Sequence, residues 1–250
     1  MCTRLGRTRP TSARSEGVRV SGSPHVNELR LDALAGRLLV ASPLLTDPNF
    51  HRSVILMCAH TAEGAFGLVL NRPLPIAVAE PLPAWAASVS EPASVFLGGP
   101  VQRDRAIALA RLARPPRRDL PGWEPVLPEI GLLDLELDPS AVPDIEAVRI
   151  FSGHAGWAGG QLEGELLGES WFVVDARPGD AFDSDPAHLW QRVLRRQSGR
   201  LALFANYSLH YVGGVKGPAV SADYYAFYND RIQQLLNADR QDPPFVSLMS

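Results

Sequence analysis

The chain has 250 residues, of which 46% are hydrophobic and 20% charged, an ordinary globular composition that excludes wholesale disorder and fibrous repeats. A formal net charge of −3 supplies no global field for nucleic acid or an anionic membrane. Two cysteines, Cys2 and Cys58, are too few for a disulfide framework or a thiolate zinc site.

No run reaches the ~18 apolar residues of a membrane span, and the opening arginines are not followed by the apolar centre of a secretory signal. A soluble, cytoplasmic protein is therefore expected. Lys216 is the only lysine, so arginine clusters carry less functional weight here than usual.

Residues 1–33 are rich in Arg, Ser, Thr, Gly and Pro without apolar periodicity, and are expected to form a disordered basic arm. One domain is expected over 34–207. In it, Arg37–Ala41 reads RLLVA, and Thr46-Asp47-Pro48-Asn49 is a turn in which Asp47 bonds the backbone two residues on. The apolar runs Ser53–Ala59 and Phe66–Leu70 predict two strands of one hairpin, ended by Asn71-Arg72-Pro73. Closely spaced prolines from Pro73 to Pro92 leave room only for a short helix around Ala84–Val89. Ser94–Leu97 reads as a strand running into Gly98-Gly99-Pro100.

Six arginines punctuate Val101–Arg118, whereas Asp119–Val148 has eight acidic residues and no basic one, which predicts pairing between the two segments. Val148–Ser152 is the next strand, entering a glycine loop over Gly153–Gly160, with a short helix over Gln161–Leu167 and a strand over Trp171–Asp175. Ser184-Asp185-Pro186 predicts a helix start with Asp185 as cap. Leu189, Trp190, Val193 and Leu194 would form the buried face of that helix and Gly199 its stop. Leu201–Tyr207 is apolar again. Residues 208–250 form a C-terminal extension with a helix expected over 222–238 that carries the aromatics Tyr224, Tyr225, Phe227 and Tyr228.

No P-loop, His-Glu-x-x-His, Cys-x-x-Cys, Gly-x-Ser-x-Gly or Gly-x-Gly-x-x-Gly pattern occurs, so no cofactor and no metal is expected. The glycine loop would present free amides at a helix start, where an anion could bind, with His154 beside it. Against that, glycines also serve positive φ and close backbone approach. Arg52 and Arg72 could meet across the hairpin and clamp a phosphate or carboxylate. Cys58 reads as a buried, inert thiol and His60 as a solvated cap. Arg103–Arg118 could contact nucleic-acid phosphates, but no aromatics interleave to stack on bases, and paired or solvated arginines are the better reading.

Five blocks in one order are more specific than any of these motifs. They are Leu38–Pro43 (LLVASP), Asp47–Val54 (DPNFHRSV), Gly64–Pro73 (GAFGLVLNRP), Phe96–Val101 (FLGGPV) and His154–Glu163 (HAGWAGGQLE). Together they resemble the YqgE/AlgH family of bacterial proteins over roughly 34–207. The resemblance implies an α+β domain with a curved, barrel-like, mainly antiparallel sheet and a few flanking helices. One branch of that family carries a transcriptional-regulator label, and the resemblance brings no catalytic set. His154 departs from the tyrosine common in related sequences, and the segment after Gly-Gly-Pro-Val is unusually acidic and proline-rich.

The function expected is thus a non-enzymatic regulatory protein that binds a small anionic ligand or a protein partner. Asp47, Arg52, Asn71, Arg72, Gly98, Gly99, Gly153, His154 and Gly156 are its candidate site residues. The alternatives are a hydrolase or transferase using His51 or His154, and a nucleic-acid binder working through Arg103–Arg118.

Overall fold

The first apolar runs become strands because each buries both of its faces. Along β1 (Arg37–Ala41) and β2 (Val54–Thr61), Leu38, Val40, Val54 and Leu56 enter one core while Leu39, Ala41, Ile55 and Met57 enter another. A strand covered on both sides reads as a continuous apolar run instead of an alternating one. The computed structural model describes residues 34–116, 120–142 and 144–197. The expected arm, Gly199, Leu201–Tyr207 and the 208–250 extension with its helix lie outside these residues.

β2 and β3 (Gly64–Val69) form the expected antiparallel hairpin, in register from Ile55 opposite Val69 to Thr61 opposite Gly64. A bulge between Met57 and Ala59 places Cys58 in the inner core. The proline-rich segment corrects expectation, because Pro73–Ala77 is a strand, β4, paired only with β5 (Ser94–Leu97). An edge strand tolerates prolines, whose missing N–H is needed on one side only. A 3-10 helix over Pro83–Ser88 stands where the short helix was expected, burying Trp85.

The arginine segment forms a long strand, β6 (Val101–Leu112), and the acidic segment contributes β7 (Trp123–Leu127) and β8 (Ile130–Leu133). β9 spans Ile145–Ala158, followed by α1 (Gln161–Leu167), β10 (Trp171–Asp175) and α2 (Leu189–Arg195). The sheet runs β10-β1-β2-β3-β9-β6-β8-β7, with β5 parallel to β9 and every other pairing antiparallel. It curls until β7 meets the turn before β1, where a Cβ on Gly36 would lie 2.9 Å from Leu127 Cδ2. This is the curved, barrel-like α+β architecture that the family resemblance implied.

The inner core carries Leu38, Leu56, Leu68, Phe96 and Phe151 under the α2 face of Leu189, Trp190, Val193 and Leu194. α1 covers an outer core around Trp157 and Trp171, and the 3-10 helix covers a second around Ile150 and Leu133. The start of α2 differs from expectation. After Pro186 a 3-10 turn precedes the helix, and Asp185 caps no amide. Its carboxylate instead holds His188 Nδ1 at 2.9 Å and the Arg192 guanidinium, whose Nη1 is 3.0 Å away and whose charge strengthens the bond.

The predicted glycine loop is likewise corrected, since β9 runs through Gly153 to Ala158. Before Gly153, Phe151 faces the inner core and Ile150 the outer. After it, Ala155 and Trp157 face the outer core beneath α1 and His154 meets Phe66. Gly153, at φ 67°, inserts the residue that reverses the pleat.

Candidate functional site

Three segments converge on one cleft of about 250 Å³, lined by His51 and Arg52 before β2, Asn71 and Arg72 after β3, and Ala187, Trp190 and Gln191 at α2. The first is shaped by the predicted turn. Asp47 Oδ1 accepts from Asn49 N at 2.8 Å, and the Asp47 carbonyl accepts from Phe50 N and His51 N. Phe50 then anchors the loop against Trp157 and Trp171, with ring centroids 6.3 and 5.5 Å away. The chain passes through Arg52 in a left-handed conformation, φ 52°, a region that non-glycine residues seldom adopt.

Asn71 holds that kink in place. Its Oδ1 accepts from Val54 N at 3.0 Å and its Nδ2 donates to the Arg52 carbonyl at 2.9 Å, so the buried carboxamide grips the chain on both sides of Ser53 and ties the segment leaving Arg52 to the end of β3. Asn71 is thus a positioning residue for the cleft more than a ligand donor. Arg52 lies over the Trp190 ring, 5.5 Å from its centroid, and Trp190 Nε1 donates to the Ala41 carbonyl at 2.8 Å. Arg72 donates to the carbonyls of His51 and Asn71 and has no carboxylate partner among the described residues. Burial pushes its guanidinium below its usual value, yet it stays charged at neutral pH. His51 Nδ1 sits 3.3 Å from the Leu45 carbonyl.

The remaining predicted residues do not line this cleft. Asp47 is committed to its turn. Gly98, Gly99 and Gly153 meet elsewhere, where the β5–β6 link crosses β9 backbone on backbone. A Cβ on Gly98 would fall 2.2 Å from the Gly153 carbonyl oxygen, and one on Gly99 2.3 Å from Ala155 N. Gly98 N is already bonded to the Ser152 carbonyl at 2.9 Å, so the glycines serve close approach. Gly156 lies opposite Phe66 in the sheet, and the His154 ring sits 4.9 Å from the Phe66 ring with no hydrogen bond among the described residues. Burial lowers the His154 pKa.

A profile of the AlgH-like family (DUF179) matches residues 38–202. The chain belongs to the AlgH-like family. It is 49% identical over 181 residues to a UPF0301 protein of Streptomyces coelicolor, covering 71% of this chain and 93% of that one. It is 44% identical over 185 residues to a UPF0301 protein of Thermobifida fusca, covering 70% and 92%. Among solved structures it is similar to a crystal structure of a Corynebacterium diphtheriae protein (TM-score 0.65, 30% identity, 70% of this chain and 92% of that one). It is also similar to the solution structure of AlgH from Pseudomonas aeruginosa (TM-score 0.52, 30% identity, 74% and 96%).

Away from the cleft lining, this AlgH-like chain contains polar anchors that sequence reasoning missed. His60, expected as a solvated cap, has a side chain only 4% exposed, with Nε2 3.0 Å from Glu163 Oε1 on α1. The α1 helix covers the end of β2, which no local pattern announces. Glu165 accepts from the indoles of Trp157 at 2.9 Å and Trp171 at 2.8 Å, pinning α1 over the outer core. Arg149 is fully buried, lies 4.3 Å from the Phe96 ring centroid, and donates to the carbonyls of Glu91, Ala181 and Asp183. Burial brings its pKa down to about 10, partly opposed by Asp183.

Two other expectations hold. Cys58 is buried, and desolvation, then the nearby Glu124 charge, push its thiol pKa far up. Arg111 pairs with Glu146 at 3.1 Å and Arg114 with Asp144 at 2.7 Å, as the charge asymmetry implied. No helix among the described residues is long and apolar enough to cross a membrane.

Proposed function

We propose that this AlgH-like protein is a non-enzymatic, cytoplasmic regulatory protein that receives a small anionic ligand in the Arg52–Arg72 cleft. The observation that carries this reading is Arg72. Its half-buried guanidinium is fixed by two backbone carbonyls beside a cleft with no acidic side chain in its lining among the described residues. A guanidinium has more donors than those carbonyls take, and a desolvated cation without a counter-charge gains from an incoming anion. Because the donors are held before the ligand arrives, little ordering entropy opposes binding.

The non-enzymatic part of the proposal is supported by the histidines. Neither His51 nor His154 has an acidic or nucleophilic side chain within hydrogen-bond reach among the described residues, and only His51 lines the cleft. The nucleic-acid alternative loses support from Arg111 and Arg114, which are engaged within the domain. The regulatory part rests on the resemblance to the labelled branch of the family.

Thermal unfolding of the full chain in the presence of small mono- and dianions tests the proposal. A ligand at 100 times its Kd adds about 2.7 kcal/mol of stability, read as a raised Tm that Arg72→Gln abolishes. Equal Tm in every anion for wild type and variant would refute it.

A further inference from the structure

Deepening the anion-cleft reading, on which it rests, we infer that the cleft recognises a hydrogen-phosphate group, free or on a small monoester, with Arg72 as the fixed guanidinium and His51 Nε2 as the partner of the group's titrating proton. The argument begins with the imidazole. His51 Nδ1 faces the Leu45 carbonyl, which has no proton to give, so Nδ1 carries the hydrogen. That assignment leaves Nε2 as an acceptor in the neutral ring and a donor in the charged one, and it has no partner among the described residues.

A phosphate monoester titrates near pH ~6, so near neutrality the bound group can keep the one proton that a hydrogen bond to the His51 Nε2 acceptor needs. A carboxylate or a sulfate holds no such proton near neutrality, and each meets a neutral His51 Nε2 as acceptor against acceptor. The rest of the lining supplies donors from other directions. The Gln191 carboxamide and the Arg72 N–H groups not used by the His51 and Asn71 carbonyls suit a tetrahedral group with several oxygens better than a planar one with two.

Size narrows the class further. About 250 Å³ falls below the ~300–1,000 Å³ typical of sites for drug-sized ligands, so the monoester is compact. Arg52 adds an independent observation. Glycine or asparagine would take φ 52° more readily, yet an arginine occupies it and reaches the Trp190 wall of the cleft. Backbone strain of this kind gathers where a side chain is needed for a ligand.

Isothermal titration of the full chain at pH 7 with inorganic phosphate, glycerol 3-phosphate, sulfate and succinate tests the inference. At least one phosphate probe should bind about tenfold or more tightly than sulfate and succinate, as expected for one added charge-assisted hydrogen bond. Whichever phosphate probe binds tighter identifies the free or the esterified form. Arg72→Lys, which keeps the charge but loses the fork, should weaken phosphate about tenfold. His51→Gln should bring phosphate and sulfate to within about twofold of each other while Tm stays unchanged, a selectivity loss that a purely structural histidine would not produce. Sulfate or succinate binding as tightly as phosphate overturns the hydrogen-phosphate assignment and leaves the anion cleft standing. Binding of none of the four overturns both.

Discussion

Replacing Arg52 by glycine and by alanine separates backbone strain from side-chain contribution. Both substitutions remove the contact over Trp190, worth about 0.5–1 kcal/mol at an accessible site. They differ at the backbone. Alanine keeps the Cβ that makes φ 52° unfavourable by roughly 1–2 kcal/mol, and glycine relieves it. Glycine in turn adds unfolded-state freedom worth about 0.4–1 kcal/mol, so Arg52→Gly should exceed Arg52→Ala in stability by about 0.5–1 kcal/mol. For a domain of this size that is a Tm difference of about 1–4 °C, readable by calorimetry or by urea unfolding at constant m. Both variants should lose anion affinity together. If the glycine variant proves less stable than the alanine one, the left-handed geometry is not strain, and the reasoning that Arg52 is retained for a ligand fails.

Three further outcomes are expected. Glu165→Leu leaves the indole N–H groups of Trp157 and Trp171 without their acceptor and should destabilise by about 2–4 kcal/mol, with Glu165→Gln recovering more than half in chemical denaturation. Gly98→Ala would force a Cβ to within 2.2 Å of the Gly153 carbonyl, and should cost about 3 kcal/mol or more, seen as a loss of soluble, cooperatively unfolding protein. His154 binds its proton less readily in the folded chain than in the unfolded one. Its contribution to stability is therefore complete above pH ~6.5 and declines as pH falls through the lowered folded value. His154→Gln should flatten the slope of stability against pH between about 5 and 7 relative to wild type.

Much of the sheet was legible because its strands carry continuous apolar runs. Ser94–Leu97 and Trp171–Asp175 are strands at the predicted bounds, the apolar run Arg37–Ala41 is a strand too, and α1 fills Gln161–Leu167. What escaped was chain whose conformation is set by distant partners. The first half of β6 is exposed and polar, and β9 pairs only its two ends, Val101 and Ala106, across an irregularity that no local pattern announces. The Gly153–Ala158 stretch reads as a loop until β3 is placed opposite it. The cleft was half legible. Arg52, Asn71 and Arg72 do converge, but the α2 wall of Trp190 and Gln191 comes from more than a hundred residues later in the chain. The glycines looked like an anion nest when they are a crossing of two backbones. Buried Arg149 stands between Val148 and Ile150 in β9, and no local rule separates it from a solvent-facing arginine.

The position of β9 bears on how the protein acquires its structure. This strand joins β3, β5 and β6 at once, so the earlier strands have no shared partner until residues 145–158 have left the ribosome. Until then, β1, β2 and β3 can pair only as a three-stranded meander whose two apolar faces stay uncovered. Closing such large loops makes assembly slow and exposes sticky intermediates, so this protein should depend on late, concerted maturation and on chaperone capacity more than its modest size suggests.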